Sequence, residues 1–358
     1  LGDKLAIALD RNLPDVSDVH VTDVQLCQAS GMSCETLLFD AHWREDANTH
    51  HEHLVARVQP TGPGLYPRYD LGLEYQVMNT LGARTDIPVP PTYFHETNSD
   101  VLGAPFIVMQ RARGQAPPDD PPFTTGGWVC ELTAEQQATL HDNALTALAR
   151  IHAVDIDAVG LGHLRDHPEA GMARQLAFWR STFAWAADGD TNPTVEAALD
   201  WIADNQPTDT GDPVLSWGDS RPGNLLYGPD QSVTAVLDWE MLSISPRELD
   251  LGWWLSVAWY YTEGIGIPAP PGFPDRDTLI VRYEQLTGAA VHNMYFYEVF
   301  GALRLAILSH RAGNLMIAAG QLPPDTTMKL SNPPSHRLAH LLDLPIPTGQ
   351  SMGFAGNR

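Results

Sequence analysis

Residues able to act together on a phosphoryl group occur within one short stretch. In PVLSWGDSRPGNLLYGPDQSVTAVLDWE (residues 213–240), Asp219 is followed by Asn224 five positions on and by Asp238 nineteen positions on. Transfer of a phosphoryl group from a nucleotide needs such a set. One carboxylate orients and deprotonates the attacking hydroxyl, while an amide oxygen and a second carboxylate hold Mg²⁺ against the phosphates. Taken singly, Asp219 and Asn224 are residues that also cap turns. Their grouping beside an apolar strand that ends in Asp-Trp-Glu points to chemistry.

Positioning these groups requires strand ends. VLSW reads as a strand leading into Gly218-Asp219, and a loop follows to Asn224. NLLYGPDQSVTAVLDWE then reads as a hairpin turning at GPDQ, with Asp238 delivered at the end of its second strand. The five-residue interval equals that between the catalytic Asp and metal-binding Asn of kinases.

Upstream, residues 21–43 and 53–60 read as three strands of an antiparallel meander. Leu71, Tyr75, Met78 and Leu81 follow at helical spacing, and IPVPPTYFHE and APFIVMQRARG give two further strands around the turn TNSD. The Pro- and Gly-dense stretch 114–127 marks a change of character. Beyond it, Thr133 and Gln136 form a capping box ahead of Leu140, Ala144, Leu148 and Ile151, and helical patterns dominate again from Pro246. The fold expected is α+β, with a small β-rich lobe carrying one helix over 1–112, a larger, mostly helical lobe over 113–345 and a tail over 346–358.

The 358-residue chain carries 21 basic and 44 acidic residues, a formal charge of −23, which disfavours nucleic-acid and anionic-membrane partners. Only Lys4 and Lys329 are lysines, both near the chain ends, so chemistry that ordinarily uses lysine must use arginine. Three cysteines without a CxxC pair argue against a disulfide framework, and the opening LGDKLAIALDRNL lacks the features of a signal peptide. A cytoplasmic protein is expected, with no membrane span, because the longest apolar run, 251–261, falls far short of the ~20 residues needed.

Trp217-Gly218-Asp219-Ser220-Arg221-Pro222-Gly223-Asn224 and Leu237-Asp238-Trp239-Glu240 resemble the His-Gly-Asp-x-x-x-x-Asn and Leu-Asp-Trp-Glu segments of the aminoglycoside phosphotransferase and choline kinase-like enzymes. GMSCETLLF (31–39) resembles their nucleotide loop, PFIVMQRARG (105–114) their hinge strand, and SPRELDLGWW (245–254) the helix after the metal Asp. The resemblance extends over roughly 20–340 and is nearest to a bacterial aminoglycoside phosphotransferase-like subgroup, related to a domain fused to some acyl-CoA dehydrogenases.

That resemblance implies a protein-kinase-like fold, ATP (or GTP) and Mg²⁺ as cofactors, and a small-molecule hydroxyl as acceptor. It implies Asp219 as catalytic base, Asn224 and Asp238 as Mg²⁺ ligands, and Asp250 as a brace of the catalytic loop. Ser30, Gly31, Ser33 and Thr36 would cover the phosphates, with the base against Gln110 and Ala112 between the lobes. Two positions depart from the family. Trp217 replaces the usual His, with the expected loss of a bracing hydrogen bond. Arg57 replaces the phosphate-anchoring Lys, with Glu74 as its partner carboxylate, and keeps the positive charge. Arg221 either touches the γ-phosphate or holds the loop by a salt bridge.

Other features carry less. His50, His51 and His53 around Glu52 look like a metal cluster, but REDANTHHEH (44–53) reads as a solvated hairpin loop with no further ligand nearby in sequence. Trp253, Trp254, Trp259, Tyr260 and Tyr261 read mainly as helix core, some of them lining an acceptor pocket with Tyr295 to Tyr297 and Phe300. The candidate pocket segments 253–273 and 292–316 hold only Glu263 and Glu298 as acids. That leans from a polycation towards a bulkier, more apolar alcohol, such as a macrolide or hydroxyacyl compound. The alternative function is a non-catalytic nucleotide-binding pseudokinase, favoured by Trp217 and Arg57. A protein kinase lacks support, since His-Arg-Asp and Asp-Phe-Gly are missing.

Overall fold

The computed structural model describes residues 1–27 and 34–353. It divides into two compact units, Leu1–Arg113 and Gly114–Arg358.

The first unit is built on an antiparallel sheet of five strands in the order β1-β2-β3-β5-β4. Its strands are β1 (Val16–Leu26), β2 (Glu35–Glu45), β3 (Asn48–Val58), β4 (Thr92–Glu96) and β5 (Phe106–Gln110). Alternation decides which face is buried: Leu37, Phe39, Ala41 and Trp43 of β2 point the same way as Leu54, Ala56 and Val58 of β3. That face packs on α1 (Gly2–Asn12), whose Leu5, Ala8 and Leu9 recur at helical spacing and join the same apolar cluster. The opposite face carries Thr36, Asp40, Val55 and Arg57. Helix α2 (Leu71–Arg84) is capped by Asp70, which accepts from the Leu73 N–H at 2.9 Å.

Two expectations change here. The opening segment, read only for the absence of a leader, forms α1. Residues 48–53, expected as solvated loop, are the first half of β3; the β2–β3 connection shrinks to Asp46 and Ala47, with Asp46 in the left-handed region at φ 53°. The histidines therefore stand in a paired strand.

The second unit is mostly helical. Its helices are α3 (Trp128–Glu131), α4 (Ala134–His152), α5 (Met172–Ala187), α6 (Pro193–Asp204), α7 (Glu248–Tyr260), α8 (Arg276–Thr287), α9 (Met294–Ala318) and α10 (Pro333–Leu341). The capping box closes in both directions at the start of α4, Gln136 N–H to Thr133 Oγ1 at 3.2 Å and Thr133 N–H to Gln136 Oε1 at 2.9 Å. Helices α7 and α9 approach so closely at Gly252 that a Cβ there would stand 2.2 Å from the Tyr297 carbonyl oxygen. No described helix is long and apolar enough to cross a membrane.

Between α6 and α7 lies the strand-rich island. β7 (Leu225–Tyr227) and β8 (Val233–Val236) form the hairpin around GPDQ, and β6 (Val214–Ser216) pairs antiparallel with β9 (Ser243–Ser245). β9 is too short to show a period in the sequence.

Candidate active site

The loop that follows β6 owes its shape to Gly218 and Asp250. Gly218 has φ +93°, and a Cβ on it would lie 2.0 Å from the Met241 carbonyl oxygen, so only glycine fits. Asp250, in the first turn of α7 and fully buried, collects the loop's donors. Its Oδ1 accepts from the Gly218 N–H at 2.8 Å and Ser216 Oγ at 2.9 Å, and its Oδ2 from the Trp217 N–H at 2.7 Å. His152 Nε2 lies 2.9 Å from the same Oδ2, and the other ring nitrogen of His152 is 2.6 Å from Tyr283 Oη. Burial alone would raise the Asp250 pKa, but His152 and these donors outweigh it and hold the carboxyl below its ordinary value.

Asp219 follows immediately, and both of its oxygens are engaged. Oδ1 accepts from Trp253 Nε1 at 2.6 Å, and Oδ2 accepts from Asn224 Nδ2 at 2.7 Å and lies 3.4 Å from Arg221 Nε. Asn224 Nδ2 also donates to the Asp219 carbonyl at 3.0 Å. With its nitrogen spent on Asp219, the Asn224 amide presents its oxygen as the remaining polar atom, a hard donor suited to Mg²⁺.

The hairpin carries Asp238 back to this loop. Leu237 N–H donates to the Asn224 carbonyl at 2.9 Å, and the Leu237 carbonyl accepts from Trp217 Nε1 at 2.8 Å. Asp238 itself sits in the left-handed region at φ 62°, a conformation costing on the order of 1–3 kcal/mol for a non-glycine residue and held only by such surroundings. The expected loss of a bracing hydrogen bond at Trp217 is therefore corrected: the indole supplies one, to the residue before Asp238.

Arg221 takes the salt-bridge arrangement. Its two terminal nitrogens donate to Asp119 Oδ1 and Oδ2 at 2.7 and 2.9 Å, and Tyr261 Oη donates to the same Oδ1 at 2.8 Å. Arg221 keeps its proton firmly: burial opposes the charge, but Asp119 and Asp219 outweigh it and raise the pKa.

In the first unit, the structure brings Arg57 and Glu74 together, Nε to Oε2 at 3.3 Å, with only 16% and 4% of the side chains exposed. Thr36 stands directly opposite Arg57 on β2. Gln110, at the end of β5, donates to Glu52 at 3.1 Å and takes the Pro91 carbonyl with its N–H, and Ala112 lies two residues beyond. Ser30, Gly31 and Ser33 lie outside the described residues.

Sequence reasoning missed three participants. Trp253, grouped with the helix core, touches Asp219; the available signal was its place three residues after Asp250, on the same face of α7. Arg304 is buried in α9, donates to the Gly218 carbonyl at 3.1 Å, and lies over the Trp253 ring at 4.4 Å. A charge within an otherwise apolar helical run pointed to it. Asp119 lay in the stretch read only as a boundary.

A family model described as the phosphotransferase enzyme family matches residues 38–287. That span includes Asp219, Asn224, Asp238 and Asp250. Among curated proteins, acyl-CoA dehydrogenase family member 11 of Gallus gallus is 29% identical over 200 residues, covering 56% of this chain and 24% of the relative. The chain thus spans about a quarter of the length of that relative. A Ralstonia eutropha JMP134 protein provisionally described as an aminoglycoside phosphotransferase superposes with a TM-score of 0.65 at 22% identity, over 95% of each chain. A thermostable mutant of aminoglycoside phosphotransferase APH(4)-Ia, in ternary complex with ADP and hygromycin B, gives 0.54 at 14% identity over 94% of this chain and 97% of the other. The fold is that of the kinase-like phosphotransferases.

Proposed function

The chain belongs to the phosphotransferase enzyme family, and we propose that it moves the γ-phosphate of ATP or GTP to a hydroxyl of a small molecule, with Asp219 as the catalytic base. The convergence on Asp219 is the observation that carries this reading. Trp253 and Asn224 aim its two oxygens, at 2.6 and 2.7 Å, so the carboxylate is fixed in direction before an acceptor arrives.

Asn224 through its amide oxygen and Asp238 through its carboxylate fit a Mg²⁺ ion, since both are hard oxygen donors joined through Leu237. The ion supplies neutralisation of the charge that develops on the transferring group. In this reading Arg57, steadied by Glu74, would bind phosphate with Thr36 across from it, and Gln110 with Ala112 would take the base. The phosphate-loop role of Ser30, Gly31 and Ser33 rests on the family resemblance alone. Arg221, held by Asp119, positions Asp219 and lends positive charge beside it.

The acceptor is read as an uncharged or weakly charged alcohol. Of the two acids in the candidate pocket segments, Glu298 is 8% exposed and taken by Arg276, Nη2 to Oε1 at 2.6 Å, with Arg337 at 3.7 Å. It is not a free counter-charge for a polycation. The kinship to acyl-CoA dehydrogenase family members makes hydroxyacyl compounds, and macrolides after them, the acceptors to try first. A cytoplasmic location suits the nucleotide requirement.

The test is nucleotide consumption across hydroxyacyl thioesters, macrolides, choline-like amines and aminoglycosides, with the parent and Asp219→Asn. Transfer should fall by about 10²–10⁴-fold in Asp219→Asn, with Mg·ATP affinity little changed. Equal transfer by both proteins overturns the assignment of the base. Nucleotide binding without turnover of any acceptor class favours the pseudokinase reading.

A further inference from the structure

We propose that Asp40, His51 and His53 form a site for a divalent transition metal of the zinc, nickel or copper type on the exposed face of the N-terminal sheet. The site is independent of the phosphotransfer reading.

The strand geometry assembles it. His51 and His53 alternate along β3 and so project from one face, while Asp40 on β2 stands directly across from His53. Each oxygen of Asp40 faces one imidazole. Oδ1 is 2.6 Å from His53 Nδ1, and Oδ2 is 3.8 Å from His51 Nε2. One ligand atom from each residue lies within 4.8 Å of the others. His42, across from His51, stacks on its ring at 4.1 Å with 15° between the planes, which steadies the ring without using a third ligand position.

The distances fit an ion with modest adjustment. Ligand atoms about 2.0–2.1 Å from a tetrahedral metal stand roughly 3.4 Å apart. The 3.8 Å gap must close slightly and the 2.6 Å gap must open, both within reach of side chains that are 51% and 57% exposed at the two histidines. A simple Asp40–His53 hydrogen bond would explain the shorter distance alone. It leaves unexplained a second imidazole turned to the other oxygen and held there by a stacked third ring. Two imidazoles and one carboxylate select borderline divalent transition metals over Mg²⁺, which prefers oxygen donors and keeps its waters. Solvent completes the coordination, so the site is open.

The experiment is calorimetric titration of Zn²⁺ into chelator-stripped protein with excess Mg²⁺ present, repeated with Asp40→Asn, the double variant His51→Ala/His53→Ala, and His50→Ala. Far-UV circular dichroism checks each fold. One equivalent should bind in the parent despite Mg²⁺. Asp40→Asn and the double variant should weaken it at least tenfold, about the smallest loss seen when even a ligand's hydrogen-bonding partner is removed. His50→Ala, on the opposite face of β3, should bind as the parent does. Co²⁺ should give visible d–d bands in the parent that disappear in the double variant. The proposal is overturned if the parent shows no saturable binding, or if either Asp40→Asn or a folded double variant binds as tightly as the parent. Because Asp40→Asn is nearly isosteric, it decides the matter even if the double variant folds poorly.

Discussion

The indole Nε1 of Trp253 donates to Asp219 Oδ1 at 2.6 Å, and the same ring is covered on its face by the buried Arg304 guanidinium at 4.4 Å. Asp250 and Trp253 lie one turn apart on α7. The helix thus fixes the loop twice, through the backbone at Gly218 and through the carboxylate of Asp219 itself. Positioning of a base by a helix that also braces its backbone lets one element set both distance and direction.

Trp253→Phe tests this, because phenylalanine keeps an aromatic ring beside Arg304 while removing the donor, at the cost of some buried volume. A hydrogen bond to a charged group contributes about 1.5–3 kcal/mol, so kcat should fall roughly 10- to 100-fold. The KM for nucleotide should stay near the parent value. Steady-state kinetics with the acceptor identified by screening decides it, and an unchanged kcat removes Trp253 from the site.

Trp217 is the departure that most suggested a decayed enzyme, yet its indole makes the hydrogen bond to Leu237 that ties the loop to Asp238. Trp217→Phe should therefore lower transfer and Mg²⁺-dependent nucleotide affinity together, since the brace lies on the residue before the proposed metal ligand. Trp217→His restores the family residue but leaves volume behind in a fully buried site. It should cost stability, on the order of 1–3 kcal/mol, without raising activity. Denaturation in urea alongside kinetics separates the two effects.

Arg57 is tied to Glu74, whose side chain is 4% exposed. Arg57→Ala thus removes a cation from a buried carboxylate, and stability should drop by about 1–3 kcal/mol as nucleotide affinity weakens. Glu74→Gln in the Arg57→Ala background should recover stability and leave nucleotide affinity low. Calorimetry with Mg·ATP and a urea titration of each variant check both halves. Full affinity in the double variant would return Arg57 to an ordinary strand residue.

What was legible in the sequence was local. The spacing of Asp219, Asn224 and Asp238, the GPDQ hairpin and the Thr133–Gln136 box all lie within a few turns or one hairpin, where residue type and period carry the signal. What escaped it was set across distance. Trp253 reaches Asp219 from 34 residues away, and Asp40 meets His53 only through the β2–β3 register. Helix α1 was passed over because a short apolar face at a chain start shows its purpose only against the sheet it covers.

Acid stability should depend on His141. Its ring is buried in α4, edge-on to Trp254 and Phe273 at 5.4 and 5.0 Å, and burial pushes its pKa from the ordinary 6.5 down to about 4, against a smaller opposing pull from Asp142. Between these values the unfolded chain binds a proton that the folded chain does not. Stability therefore falls as the pH drops from 6.5 towards 4, by up to about 1.4 kcal/mol per pH unit from this group alone. Above pH 6.5 the group is neutral in both states and contributes no slope. His141→Leu removes the site and should flatten the acid limb of a plot of unfolding free energy against pH, while the buried carboxylates, common to both proteins, cancel in the difference. Urea midpoints at several pH values between 7 and 4.5 measure it. Parallel curves for parent and variant would mean that His141 takes up its proton as readily in the folded protein as in the unfolded chain, and that the ring is not shielded by Trp254 and Phe273 in solution.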